Sequence, residues 1–324
     1  MTGLVLAQGV LVLAGAPLFA GLSRKVKARL QYRRGPSIWQ PYRDLRKWWS
    51  KDAVESDASS PLTGLFPVLV LGVTAVAALL IPILSTSSIA PGMTDILVIV
   101  GLLALARLSL TLLALDAGSA FGGMGSSREV AIAALVEPGL VLALAIAAIS
   151  GGSTDLSVLA ARGLRLGPAL LGAPMLLAAA AFVIVAIAET GHEPVDNPDT
   201  HLELTMIHEG MILEASGRRL AMLMYAGHLK FIVVAGIFMA VFLPFGAFAD
   251  AGLTGGADVP LGATLSAYAV AIVAAIAKFI AISVGLGLLD AGLAKLRILA
   301  LPSLLGLAAV LAVTAGAAYL WLPA

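Results

Sequence analysis

Residues 95–115 read DILVIVGLLALARLSLTLLAL. After Asp95 the run carries one charge, Arg107, about twelve residues in, and two hydroxyls, Ser109 and Thr111. As a helix rising 1.5 Å per residue it is about 30 Å long, the thickness of a bilayer's hydrocarbon layer. A helix apolar on every side crosses a membrane or fills the centre of a large bundle, so the rest of the chain must choose. Seven further apolar runs of spanning length answer it: 3–22, 61–84, 130–150, 168–188, 229–248, 263–289 and 299–322. Of the 324 residues, 60% are hydrophobic and 12% charged, against about 25% charged in a soluble domain. Soluble enzymes and disordered regulators are excluded. The expectation is an all-α polytopic membrane protein of about eight transmembrane helices, a single membrane domain over 1–324.

The first run lacks the basic leader of a signal peptide, and its positive charges follow it, so it reads as a retained span. Lysine and arginine set the orientation. The segment 23–60 holds ten, and the loops on the same side add Arg128, Arg218, Arg219, Lys295 and Arg297; the opposite side has only Arg162 and Arg165. The first loop is therefore expected to be cytoplasmic, with both termini outside. Two large cytoplasmic loops result. The basic one, 23–60, contains Tyr32, Trp39, Tyr42, Trp48 and Trp49, and its piece 42–51 suits a short helix with rings at headgroup level. The acidic one, 189–228, carries seven acids and all four histidines.

Cysteine is absent, so the chain offers no thiolate for iron–sulfur clusters or zinc. Membrane haem needs paired histidines inside helices, whereas His192, His201 and His208 fall in the loop and His228 at a helix edge. The first three read as hydrogen-bonding loop residues, not metal ligands. The stretch GGMG at 122–125 reads as a loop between spans and follows no strand, which makes it a poor nucleotide site. Net charge is +1, and no nucleic-acid partner is implied.

Charges inside spans are the informative residues, because each costs several kcal/mol unless paired or hydrated. Arg107, Glu137 and Lys278 are such charges, with Asp116 and Glu189 at cytoplasmic span ends. Glu137 pairing with Arg107 or Lys278 would be a purely structural arrangement; a proton route is the functional one. The stretch from Glu189 through Glu193, Pro194 and Asp196 to Glu203 places acids around a proline turn at the end of a span. There they could link a membrane carboxylate chain to a partner docked on the cytoplasmic face.

Three blocks carry a family resemblance. The first is Arg24-Lys25, Ala28-Arg29, Gln31, Arg33, Gly35-Pro36, Gln40-Pro41, Asp44 and Lys47. The second is Leu115-Asp116, Gly118-Ser119, Phe121, Gly123, Gly125, Ser127-Arg128-Glu129 and Glu137-Pro138. The third is Ala188-Glu189-Thr190, Pro194, Asp196 and Glu203-Leu204. The chain resembles the respiratory NADH dehydrogenase subunit 1 family, at the heel of complex I. It is more similar to the branch found in group 4 membrane-bound NiFe hydrogenases, the formate hydrogenlyase and hydrogenase-4 type. The resemblance covers essentially the whole chain.

It implies a subunit without redox centres in a bacterial or archaeal cytoplasmic (inner) membrane. Its implied partners are a hydrogenase-like large subunit, an iron–sulfur small subunit and antiporter-like membrane subunits. Iron–sulfur clusters and the NiFe centre would belong to those partners, leaving no cofactor and no catalytic residue here. Proton coupling would fall to Asp116, Glu129, Glu137, Glu189, Glu193, Asp196, Glu203 and Lys278, first among them Glu189, Glu137 and Glu203. Docking of the soluble arm would use Arg24, Arg29, Arg33, Arg34, Gly35 and Pro36. Complex I relatives carry arginine where His192 stands and an acid where His201 stands, at the border of their quinone chamber. Those departures argue against carrying quinone binding over. Alternatives are a quinone-site subunit of a complex I-like oxidoreductase, a stand-alone cation transporter using Glu137 and Lys278, and a purely structural anchor.

Overall fold

The computed structural model describes residues 2–86, 92–196, 206–248 and 261–321. Eleven α-helices lie in these segments: α1 Thr2–Leu30, α2 Gln40–Trp49, α3 Leu65–Leu80, α4 Ile96–Asp116, α5 Ala120–Gly151, α6 Leu156–Leu166, α7 Ala173–Thr190, α8 His208–Ile212, α9 Gly217–Phe242, α10 Leu261–Gly292 and α11 Leu301–Trp321. Eight are long and apolar enough to cross a membrane: α1, α3, α4, α5, α7, α9, α10 and α11. Helices suit such a chain because each satisfies its own backbone hydrogen bonds where no water can. The chain is a multi-pass membrane protein.

Helix ends depart from the ends of the apolar runs. Helix α1 continues to Leu30 and places Lys27 and Arg29 in its last turn, where cations oppose the partial negative charge of the helix terminus. Helix α5 starts at Ala120, capped by Ser119, whose hydroxyl accepts from the Gly122 N–H at 3.1 Å. The GGMG stretch, expected as a loop, is thus helical, and Glu129 is carried into the bundle with it. A Cβ at Gly122 would lie 2.5 Å from the Ala114 carbonyl oxygen, so the start of α5 rests directly on the end of α4. Helix α9 starts at Gly217, which shortens the acidic loop and places His228, expected at an edge, buried inside the helix. Hydropathy follows the thickness of lipid; these turns are helical but stand beyond it.

Helix α9 is the axis of the fold. It packs on α1, α2, α3, α6, α7 and α10, and nearly every side chain from His228 to Phe242 is buried. The two charged loops meet at its start. Ser216 accepts from the Val54 N–H at 2.7 Å and donates to the Val54 carbonyl at 2.9 Å, while Arg219 pairs with Glu55. Gly217 has φ +53°, and a Cβ there would stand 2.5 Å from the Asp52 carbonyl oxygen. The opposite face is closed by a reciprocal clamp. Asp95 caps α4 and Asp155 caps α6, Thr154 donates to Asp95 and Thr94 to Asp155 at 2.6 Å. Inside the bundle, Gln8 of α1 donates to the Ile81 carbonyl at 2.9 Å and accepts from the N–H groups of Ile83 and Leu84 at 3.3 and 3.2 Å. It thereby satisfies the chain where it leaves α3.

Candidate functional site

Arg107 sits midway along α4 with its side chain 7% exposed. Each of its three nitrogens faces a different carboxylate. Nε lies 3.2 Å from Glu129, Nη1 pairs with Glu137 and Nη2 with Glu189. Glu129 and Glu137 stand eight residues apart on α5, just over two turns and so on nearly one face. Glu189 comes from the end of α7, is 1% exposed, and gains a second cation in Lys230 of α9 at 2.9 Å. With all groups ionised the cluster holds three acids and two bases. A planar guanidinium presents five donors in a fixed fork and so holds several carboxylates in set directions, where an ammonium is a compact point charge with three rotatable donors. One negative charge is left in excess, and a proton arriving on any carboxylate releases its share of the guanidinium to the others.

The acidic loop leaves α7 through Gly191, at φ +67°, and the His192 N–H bonds back to the Ile187 carbonyl at 3.1 Å. His192 Nδ1 lies 3.0 Å from Asp290 Oδ2, near the end of α10. Glu193 is 3.3 Å from Lys27 of α1. Asp196 is 2.9 Å from Lys295 and accepts from the His208 N–H at 3.1 Å. The expected acids Glu193 and Asp196 are thus pinned to α1 and to the segment after α10. Asp116 stands elsewhere: it accepts from the Ser60 N–H at 3.2 Å and from the Thr63 hydroxyl, and so ties down the end of the basic loop. Lys278 is remote from the Arg107 cluster and donates to the Leu243 carbonyl at 2.5 Å, just past the end of α9. Glu203 and His201 lie outside the described residues.

A cavity of about 1030 Å³ is bordered by part of this set, while Arg107, Glu137, Asp116 and Lys278 are not on its wall. Glu129, Glu189, His192, His228, Lys230 and Asp290 line its interior, and Arg24, Arg33, Arg34, Gly35 and Pro36 of the basic loop line it as well. At ~30 Å³ per molecule it has room for roughly thirty waters. Arg24, Arg29, Arg33 and Arg34 are exposed. Gly35 takes φ +67°, and a Cβ there would lie 2.6 Å from the Ala28 Cβ, so the loop's bend requires glycine. In α2, Tyr42 donates to the Ala14 carbonyl of α1, and burial pushes its phenol above the ordinary tyrosine range. Among the described residues no three His, Asp or Glu side chains come together as a metal site.

Two residues of the site, Lys230 and Asp290, escaped the sequence reading, and a third, His228, was expected only at a helix edge. Lys230 and Asp290 are charges inside or at the end of apolar runs, the same signal that singled out Lys278. His228 is a buried helix residue, and among the described residues nothing hydrogen-bonds to either of its ring nitrogens.

Known proteins resemble this chain over most of its length. Hydrogenase-4 component C of Escherichia coli is 38% identical over 243 residues, 74% of this chain and 75% of that protein. Formate hydrogenlyase subunit 4 of the same organism is 35% identical over 241 residues, 74% and 77% of the two chains. An NADH-quinone oxidoreductase subunit of Salinibacter ruber is 26% identical over 247 residues, 73% and 70%. Among solved structures, a chain of the membrane-bound sulfane sulfur reductase, an archaeal respiratory membrane complex, superposes with a TM-score of 0.78 at 24% identity, over 96% of this chain and 98% of that one. That likeness concerns the fold. The NADH dehydrogenase family model matches residues 2–321, and with these relatives it makes the chain a member of the NADH dehydrogenase subunit 1 family.

Proposed function

We propose that this chain is the membrane anchor and proton-coupling subunit of a group 4 NiFe hydrogenase or formate hydrogenlyase-type complex. One observation carries the reading: a single buried guanidinium divided among three carboxylates, beside a cavity lined also by an exposed basic loop. Buried charges of this density are costly, and ionisable groups inside a membrane bundle ordinarily mark an ion or proton route. The hydrogenase relatives match at 38% and 35% identity and the quinone oxidoreductase relative at 26%, which favours the hydrogenase type of complex.

In this reading Arg24, Arg29, Arg33 and Arg34 hold the soluble arm, a hydrogenase-like large subunit with its iron–sulfur small subunit, while Gly35 and Pro36 shape the loop that receives it. A redox step in that arm alters the field at the cavity. The excess charge of the Arg107 cluster then moves a proton among Glu129, Glu137 and Glu189. Glu193, Asp196 and Asp116 extend the acids along the charged-loop face, and Glu203 belongs to the same proposed set. Lys278 stands at the far end of the route, where it holds the terminus of α9. Antiporter-like subunits would receive the displacement laterally.

The size of the cavity keeps a second reading in view, a quinone-site subunit of a complex I-like oxidoreductase, since small-molecule sites span about 300–1,000 Å³. The experiment is gentle purification of the native complex, followed by reconstitution of Glu189→Gln and Glu137→Gln variants in vesicles. Co-purifying iron–sulfur and hydrogenase-like subunits, with ion translocation lost at a preserved rate of electron transfer, are expected. Recovery as a lone chain, or full pumping in both variants, overturns the proposal.

A further inference from the structure

Resting on the coupling reading, we propose that His192, positioned by Asp290, is the proton-accepting residue of the cavity wall, exchanging protons between cavity water and the acids of the Arg107 cluster. Four observations place it there. First, its position is fixed by the backbone. Gly191 ends α7 in the left-handed region, and the His192 N–H bonds to the Ile187 carbonyl, which sets the ring three residues beyond Glu189. Second, the ring is tied through Nδ1 to Asp290 at 3.0 Å. A carboxylate on Nδ1 fixes the tautomer that leaves the Nε2 lone pair free to accept a proton, and it stabilises the imidazolium that results.

Third, Asp290 is buried, and among the described residues nothing hydrogen-bonds to its Oδ1. The burial is costly for a residue serving only as a surface tether. Fourth, His192, Asp290, Glu189 and Glu129 line one cavity. His192 is the partly exposed member of the pair, at 25% against 9% for Asp290, so water reaches the ring but not readily the carboxylate.

The charged groups around the pair leave it the adjustable one. Glu193 is already matched by Lys27, Asp196 by Lys295, and Glu189 by Arg107 and Lys230. Arg24 of α1 and Asp44 of α2 face the same cavity. Two other histidines line the cavity. His228 is buried in α9 without a carboxylate partner among the described residues, so nothing there stabilises an imidazolium, and His208 of α8, beside Glu209, gives Asp196 its backbone N–H. The step balances simply. A hydronium in the cavity gives its proton to Nε2, an N–H bond forms as an O–H bond breaks, and the imidazolium later returns the proton through water to a carboxylate. No electron moves.

Two measurements test this. In vesicles holding the assembled complex, His192→Gln keeps an amide donor toward Asp290 but holds no proton. It is expected to lower ions moved per electron pair at least threefold, and to flatten the pH profile of pumping, with electron transfer within twofold of wild type. Asp290→Asn is expected to displace that profile. Full pumping with an unaltered profile in His192→Gln, while Glu189→Gln fails to pump, refutes the role of His192 and leaves the coupling reading standing. Full pumping in both variants removes the coupling reading, and this inference with it. The second measurement is a set of ¹⁵N spectra of the histidine-labelled full chain in lipid nanodiscs, the His192 signal being assigned by its loss in His192→Gln. The neutral His192 ring is expected to carry its proton on Nδ1, toward Asp290. A neutral ring protonated on Nε2 instead overturns the proposal.

Discussion

Replacing Arg107 with methionine removes the cation common to three acids at nearly constant side-chain volume. The cost is dominated by Glu189, the one acid that is 1% exposed. Glu129 at 18% lines the cavity and can draw on its water, so its loss is worth roughly 0–1 kcal/mol, and Glu137, on a spanning helix, adds to the cost. Taking one partner from a buried pair costs about 3–5 kcal/mol. Lys230 stays 2.9 Å from Glu189 and offsets part of this, which places Arg107→Met near 3–4 kcal/mol. Glu189→Gln is milder, about 1–3 kcal/mol, since Arg107 keeps two acids and Lys230 is partly exposed. If the pair is a unit, the double variant costs less than the sum, with a coupling energy of about 2–3 kcal/mol. Arg107→Lys restores charge without the three-way fork and should fall between wild type and Arg107→Met. The assay is equilibrium unfolding in mixed micelles, followed by tryptophan fluorescence and far-UV circular dichroism. Additivity of the two single variants within about 0.5 kcal/mol would refute the shared-guanidinium reasoning.

Gln8→Leu strands the Ile81 carbonyl and the Ile83 and Leu84 N–H groups; at about 1–3 kcal/mol per buried orphan, and with long bonds, a loss of roughly 2–5 kcal/mol is expected in the same assay. Gly122→Ala should lower the thermal midpoint in nanodiscs, at a cost of about 1–3 kcal/mol, because its Cβ meets the α4 backbone. Gly123→Ala, with no atom within 4 Å of its Cβ, should be neutral or slightly stabilising. The raised pKa of Tyr42 means that its neutral form is favoured by folding. That contribution is present below pH 10 and is lost as pH rises through the folded value. Tyr42→Phe should therefore reduce the fall in stability measured above pH 10.

The eight crossings were readable because each is an apolar run matched to lipid thickness, and the charged positions Arg107, Glu137 and Glu189 stood out against those runs. Sequence also offered Arg107 as a partner for Glu137. That the same guanidinium serves Glu129 and Glu189 was not readable, since Glu129 seemed to lie before its span and the partners come from two helices other than its own. The positions of α1 past Leu22 and of α9 before Leu229 were hidden for a related reason: charged helical turns at the water face carry no apolar signal. Lys230 was passed over inside an apolar run although its charge obeys the rule applied to Lys278. Asp290 was missed because it closes a run, where an acid reads as a boundary. Its pairing with His192, 98 residues away, is a fact of tertiary structure alone.

The central place of α9 bears on how the molecule is made. It is the sixth crossing segment in chain order, yet five earlier elements use it as their common neighbour. A nascent chain that has delivered α1 to α7 has Arg107 beside Glu189 but lacks Lys230, and it has a groove where the axis will stand. Until α9 is made, Glu189 has Arg107 but not Lys230 as its cation, and five elements lack the neighbour on which they all pack.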